Sequence, residues 1–267
     1  MNDPDVRLLI IITLLVGLAF AGWYFRDYLL PQPPEPEQAQ PVPAAATEAP
    51  VAAGPEHPIV PLAPPEEGEL VPLPPLDDSD GYFMLALNAV LGADFGELLV
   101  KEALIDKFVA TVDNLPRDHV AEKIRPVGRL GAAFRVDTGA SNGIWYLSAD
   151  NYARYDPLVR QLASADIEAL VDTYRRFYPL FQESYERLGY PDAYFNDRVV
   201  EVIDHLLATP APEQAVRLVR PHVLYEYADP DLEALSSGQK LLLRMGSEHA
   251  QTVKASLREI RNRIAGD

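Results

Sequence analysis

The sequence predicts a mainly α-helical protein in which one transmembrane helix and a disordered Pro/Glu-rich linker precede a multi-helix globular domain. Three observations indicate this. Residues 8–25 are apolar and hold no ionised side chain. Residues 27–80 hold fifteen of the 25 prolines and eleven carboxylates, but no Lys or Arg. Residues 81–267 are rich in Leu, Val, Tyr and Phe, much of it at helical spacing. The predicted boundaries are 1–7 for a short cytoplasmic N-terminus, 8–25 for the transmembrane helix, 26–76 for the linker and 77–267 for the domain.

The overall composition excludes some classes of function. The net charge of −17 argues against nucleic acid as a partner, because binding phosphates needs clustered Lys and Arg. The chain has no cysteine, which excludes disulfides and thiolate metal sites.

The apolar segment 8–25 is long enough to cross a bilayer, since eighteen helical residues span roughly 27 Å. The residues expected at the membrane interface follow at its C-terminal end and are Trp23, Tyr24, Arg26 and Tyr28. No Lys or Arg then occurs before Lys101. A long segment without positive charge favours an N-terminus inside the cell and the remainder of the chain outside.

A cleaved signal peptide is the alternative for this segment. Ala19-Phe20-Ala21 has the small-x-small form of a cleavage site. The aromatic cluster and Arg26 that follow directly, with a barely positive N-terminus, favour an uncleaved anchor.

The linker between Pro31 and Pro75 is too rich in proline for helix or sheet. Its like charges repel, which also favours an extended and disordered chain. Forty-five such residues reach about 35–40 Å as a random coil and up to roughly 140 Å as polyproline II. The linker is therefore predicted to hold the domain at a distance from the membrane. The alternative is that its proline motifs bind a groove on a partner protein.

The domain is predicted to be helical apart from a small β-hairpin near 132–148, whose turn is signalled by Ser141-Asn142-Gly143. Apolar periodicity predicts helices over 81–92, about 96–114, 151–162, 164–188, 192–208, a segment capped at Ser236 or Ser237 that ends at Met245, and a terminal segment from Ser247. VLYEY at 223–227 is expected to be extended.

The sequence contains no P-loop, HExxH or dinucleotide-binding glycine motif. One helix face carries Asp197, Glu201 and His205, at a spacing that suits a cation. The alternative for this face is a solvated surface with i,i+4 charge pairs. No cofactor is expected.

Two further groups are candidates for an interaction patch. The first is locally basic and consists of Arg117, Lys123, Arg125, Arg129 and Arg135. It suits an anionic polymer or the acidic linker, or is simply a solvated surface. The second combines aromatic and basic side chains and consists of Tyr225, Tyr227, Lys240 and Arg244. Its two cations suit a carboxylate, either of a partner or of Glu226 or Asp231 within the fold.

Three segments carry a resemblance to a known family: LPPLDDSD at 73–80, YRRFYPLFQESYERLGYP at 174–191 and VLYEYADPDLEALSSGQKLLLRMG at 223–246. The chain resembles a family of uncharacterised bacterial envelope proteins, known only as a domain of unknown function. The resemblance implies a membrane-tethered, mostly helical domain in a Gram-negative-type bacterium. With the predicted topology, the expected location is the bacterial inner membrane, with the domain in the periplasm. It implies no catalytic residues.

These observations favour an interaction or scaffold protein of the envelope whose partner is a protein or polymer. The alternative is an envelope hydrolase that uses carboxylates near Asp197, Glu201 and His205. A pocket converging on these three residues would favour the hydrolase.

Overall fold

The computed structural model describes residues 54–60, 72–128, 134–139, 143–212 and 214–266, all within one compact unit. This part of the chain is mainly helical with one small antiparallel sheet. Its nine α-helices are α1 Asp80–Leu91, α2 Ala93–Gly96, α3 Leu104–Asn114, α4 Asp156–Ser164, α5 Ile167–Arg187, α6 Phe195–Leu207, α7 Pro230–Glu233, α8 Ser237–Met245 and α9 Ser247–Ile264. Its strands are β1 Val136–Thr138, β2 Trp145–Leu147, β3 Arg217–Val219 and β4 Glu226–Tyr227.

No helix within these described ranges is both long and apolar enough to cross a membrane. The predicted transmembrane helix at 8–25 lies outside them, as do its interface residues Trp23, Tyr24, Arg26 and Tyr28.

Helices α1–α6, α8 and α9 pack together and form what we call the helical body. Helix α6 is its centre, because it contributes to three hydrophobic clusters. Phe195 packs with α1, α3 and α5 in the largest cluster. Val202 and Leu206 pack against α4 and α8, and Ile203 packs against α5 and α9. An amphipathic helix buried on several sides fixes the positions of its neighbours.

The predicted helix over 96–114 is wrong in its first half. Helix α3 begins at Leu104, because the Asp80 carboxylate accepts the backbone N–H groups of Ala103 and Leu104, both at 2.7 Å. Before it, Leu99 forms an isolated antiparallel bridge to Val127. A helix N-terminus needs such acceptors, and this one comes from α1, 24 residues earlier in the chain.

The predicted hairpin is confirmed as the pair β1–β2, in which Val136 lies opposite Leu147. The sheet is larger than predicted, however, because β3 and β4 extend it in the order β1-β2-β3-β4. Leu147, Leu218 and Tyr227 from three of the strands pack against Leu243 of α8. This contact joins the sheet to the helical body.

The capping prediction near residue 236 is confirmed. Ser236 accepts the backbone N–H of Gln239, and the Gln239 side chain accepts the backbone N–H of Ser236, which forms a capping box. Gly246 separates α8 from α9 with φ +83°, a conformation that side-chain-bearing residues rarely adopt.

Residues 54–60, which we call the linker strap, lie within the predicted disordered linker but contact the domain. Ile59 and Val60 line a pocket together with Arg175 of α5 and Ile264 of α9. This differs from the expectation of disorder throughout 26–76. Apolar side chains within the strap and polar acceptors on α6 hold it in place.

Candidate functional site

The three predicted metal ligands on α6 have separate partners. His205 Nε2 lies 2.8 Å from Ser236 Oγ, and Glu201 accepts a hydrogen bond from Arg198 at 2.7 Å. Asp197 binds the linker strap instead. Among the described residues no three His, Asp or Glu side chains are grouped closely enough to hold a metal ion.

Asp197 and its neighbour Asn196 form a clamp on the strap backbone. The Asp197 carboxylate accepts the N–H groups of Glu56 and His57 at 3.0 and 2.7 Å. Asn196, which is fully buried, donates to the carbonyl of His57 at 2.7 Å and to that of Ile264 at 2.9 Å. Hydrogen bonds to the main chain fix an extended segment without reading its side chains. Asp197 therefore has a structural contact with the strap backbone.

Four of the five predicted basic residues lie in the part of the chain that the structure describes. Arg125 donates to the carbonyl of Val120 at 2.7 Å, and Arg135 pairs with Asp150 at 3.1 Å near β1. Lys123 is exposed, and Arg129 lies outside the described residues. Arg125 and Arg135 are therefore engaged by groups of the fold itself.

Arg117, the remaining member, belongs to a network around a buried carboxylate. Asp113 is 3% exposed and accepts hydrogen bonds from Arg117 at 2.7 Å and from Arg198 at 3.1 Å. The Tyr190 hydroxyl lies 3.4 Å from the same carboxylate. A buried carboxylate requires such partners, and the network links α3 to α6.

Lys240 is also engaged within the fold. Its ammonium group lies 2.6 Å from Glu233 Oε1, while Glu233 Oε2 accepts the backbone N–H of Tyr227 at 2.7 Å. The predicted internal carboxylate partner therefore exists, but it is Glu233 rather than Glu226 or Asp231. Burial raises the pKa of the Tyr227 hydroxyl, and the nearby Arg244 cation opposes this shift. Tyr227 thus belongs to the core side of the sheet.

Tyr225 belongs to a different, more exposed group that we call the sheet tip, formed by Phe134, Trp145, Arg220, Val223, Leu224 and Tyr225. The Tyr225 ring centroid lies 5.6 Å from that of Trp145, and the Arg220 guanidinium lies 5.3 Å from it. Val223 and Leu224 are 78% and 75% exposed. Aromatic and Arg side chains grouped with exposed aliphatic ones are typical of interaction surfaces.

The loop of the sheet tip has a defined conformation. Arg220 Nε donates to the carbonyl of Val223 at 3.1 Å, across the two residues between them. This bond brackets the turn that presents Val223 and Leu224, so part of the ordering cost of binding is already met. Of these residues only Tyr225 is predicted from sequence. Two consecutive aliphatic residues, Val223 and Leu224, directly after Pro221-His222 in a loop are the signal for the remainder.

The turn between β1 and β2 has the sequence GASNG at 139–143, which fits the G-x-S-x-G pattern of a serine nucleophile. In hydrolases that pattern leads from a strand into a helix. Here it joins two antiparallel strands, and Ser141 itself lies outside the described residues. The context therefore gives no support for a nucleophile at this turn.

Comparison with known proteins gives one match. A family model described as "Protein of unknown function (DUF3014)" matches residues 104–261, which is more than half of the chain and runs from α3 into α9. No curated protein and no solved structure matches. The expected membership of an uncharacterised domain family is thereby confirmed. The chain belongs to the family of proteins of unknown function DUF3014.

Proposed function

We propose that this chain is a membrane-tethered interaction protein whose helical domain binds a partner protein through the sheet tip. The observation that carries the proposal is the exposure of Val223 and Leu224 beside the Trp145–Tyr225 pair. Burying large apolar side chains gains about 1.5–3 kcal/mol each. A partner that covers this tip therefore provides the burial that the domain itself does not.

The partner class follows from the chemistry of the tip. Two aliphatic side chains, three aromatic rings and one Arg suit an apolar protein surface with an acidic rim. A saccharide or other polar polymer offers little apolar surface to Val223 and Leu224. We therefore favour a protein over the polymer that the basic residues suggest.

The membrane anchor and the cellular location of the domain are also part of the proposal. The apolar segment 8–25 and the linker without Lys or Arg support an N-terminus in the cytoplasm and a domain in the periplasm. A reporter fused after the last residue is expected to be active only in the periplasm. N-terminal sequencing of the mature protein is expected to find a start before segment 8–25, and a start at Gly22 would contradict the anchor.

A site-specific crosslinking experiment tests the interaction. A photoreactive amino acid is placed at Leu224 or, as the matched control, at Leu85, which is 71% exposed on α1. In intact cells we expect a discrete crosslinked protein with the probe at 224 and none with the probe at 85. With the probe moved to Phe134, the otherwise unmodified chain is expected to give the same product, and the variant that also carries Val223→Ser and Leu224→Ser is expected to lose it. Identical products from positions 224 and 85 would contradict a specific surface.

A further inference from the structure

An apolar cavity of about 330 Å³ lies inside the helical body. It follows the seam between the largest hydrophobic cluster and the cluster formed by α5, α6 and α9. Its walls come from seven helices, and representative lining residues are Phe83, Leu87, Leu162, Val171, Val199 and Ile264. Part of the wall is open to solvent. The cavity shares none of its lining with the sheet tip.

The cavity offers no polar partner to water. Only two of its lining residues, Thr173 and Tyr174, carry a polar side-chain group. The Thr173 hydroxyl donates to the carbonyl of Ala169 at 2.9 Å, and the Tyr174 hydroxyl donates to Asn196 Oδ1 at 3.2 Å. Ordered water needs two to four polar partners. Filling the cavity with ordered water is therefore unfavourable.

An empty space of this size is also unfavourable. Protein interiors are packed like organic crystals, and the cost of a void grows with its volume. Apolar cavities of roughly 150 Å³ already bind benzene or xenon, and ligand sites begin at roughly 300 Å³. The cavity thus has the size and the lining of an occupied apolar site.

We infer that this cavity binds an acyl chain. With each methylene taken as comparable to a water, at about 30 Å³, it holds roughly ten groups. A flexible single chain follows an irregular seam between helices better than a rigid ring system does. Because no polar group faces the interior, the carboxylate or headgroup of the ligand remains at the open wall. A free fatty acid and a phospholipid share this chemistry, and both are present at a membrane.

Photolabelling of the full chain in lipid nanodiscs tests the inference. The probe is a fatty acid with a diazirine in its alkyl chain, and a parallel sample uses a phospholipid with the same group. After irradiation, peptide mass spectrometry is expected to find saturable label on α1, α4 and α5. The sample that gives this label identifies the source of the chain. Label on segment 8–25 reports the membrane anchor separately, so that the two proposals fail independently.

Variants that fill the cavity provide the specific control. Val171→Phe and, independently, Leu162→Trp are expected to reduce the cavity label at least tenfold without lowering the melting temperature. Val109→Phe places the same ring in a closed part of the core, where Val109 is fully buried. It is expected to lower the melting temperature while the folded fraction keeps the label. Absence of label on the cavity helices of the unmodified chain would overturn the inference, as would undiminished label in a folded filling variant.

Discussion

The helical body and the sheet tip use large apolar side chains in opposite ways. In the body, Phe83 is 3% exposed, and its ring centroid lies 5.1–5.9 Å from those of Phe108, Phe177 and Phe181. At the sheet tip, Val223 and Leu224 extend into solvent next to a partly covered aromatic pair. The body therefore buries its large apolar side chains, whereas the sheet tip leaves two of them in solvent.

Charged residues follow the same division. In the body, Asp113, Asp197 and Asp204 each connect two segments that are distant in sequence. Such contacts explain why acidic and basic residues that suggest a binding or metal site in the sequence stabilise the fold instead. A binding function is then better sought among exposed apolar residues than among charges.

The largest effect is expected from truncating the aromatic core of the body. Phe83→Ala removes the ring that three others contact and should lower the free energy of unfolding by about 3–5 kcal/mol. The double variant Val223→Ser with Leu224→Ser should change it by less than about 0.5 kcal/mol. Urea unfolding of the full chain in detergent, followed by far-UV circular dichroism, measures both. Comparable losses in the two variants would contradict the division between body and tip.

A smaller loss is expected from the buried carboxylate of the body. Asp113→Ala removes the carboxylate that Arg198 contacts on α3. Arg198, which is mostly buried, keeps the backbone carbonyl of residue 113 and Glu201 as partners, so the loss should be about 2 kcal/mol. Glu97→Ala is the control, because Glu97 pairs with Lys101 on the surface and its removal should be close to neutral. The same unfolding measurement applies. A neutral Asp113→Ala would show that the link between α3 and α6 is dispensable.

The Asp197 carboxylate is expected to be one of the contacts that hold the linker strap. Asp197→Ala removes both acceptors of the Glu56 and His57 amides and should cost about 1–2 kcal/mol. Hydrogen exchange at these two amides should accelerate, whereas Asp192→Ala, an exposed change just before α6, should leave it unchanged. If both amides exchange as fast in the unmodified chain as in Asp197→Ala, the carboxylate does not hold the strap in solution.

Local signals predicted much of this fold. Ser236 and Gly246 mark the ends of α8, Asn142-Gly143 marks the hairpin, and periodicity marks α5, α6 and α9. Contacts between distant segments were not predictable in this way. The start of α3 depends on Asp80 in α1, and the strap depends on α6 about 140 residues later. The short strand β3 is defined by its pairing with β2 rather than by its own sequence, so no local pattern identifies it.

The candidate site was less predictable than the fold for a related reason. Lys240 and Arg117 stand out in the sequence as charges, but their carboxylate partners become evident only in three dimensions. Val223 and Leu224 are unremarkable in the sequence, since apolar residues are usually buried. Their exposure is a property of the folded sheet.

The smallest effect concerns acid stability and again separates the body from the sheet. Asp204 accepts two hydrogen bonds from Arg261, at 2.5 and 2.8 Å, and the hydrogen bond from Arg261 lowers the pKa of Asp204. A carboxylate whose pKa is lower in the folded state stabilises the fold at neutral pH, and this contribution disappears as the pH falls through that lowered value. The melting temperature of the unmodified chain should therefore fall more between about pH 5 and pH 2 than that of Asp204→Asn. The effect should be modest, because the pair is about half exposed.

Asp137→Asn on β1, an exposed position in the sheet, is the control and should retain the full acid sensitivity. Identical acid profiles for Asp204→Asn and the unmodified chain would show that the α6–α9 ion pair adds nothing to the stability of the body.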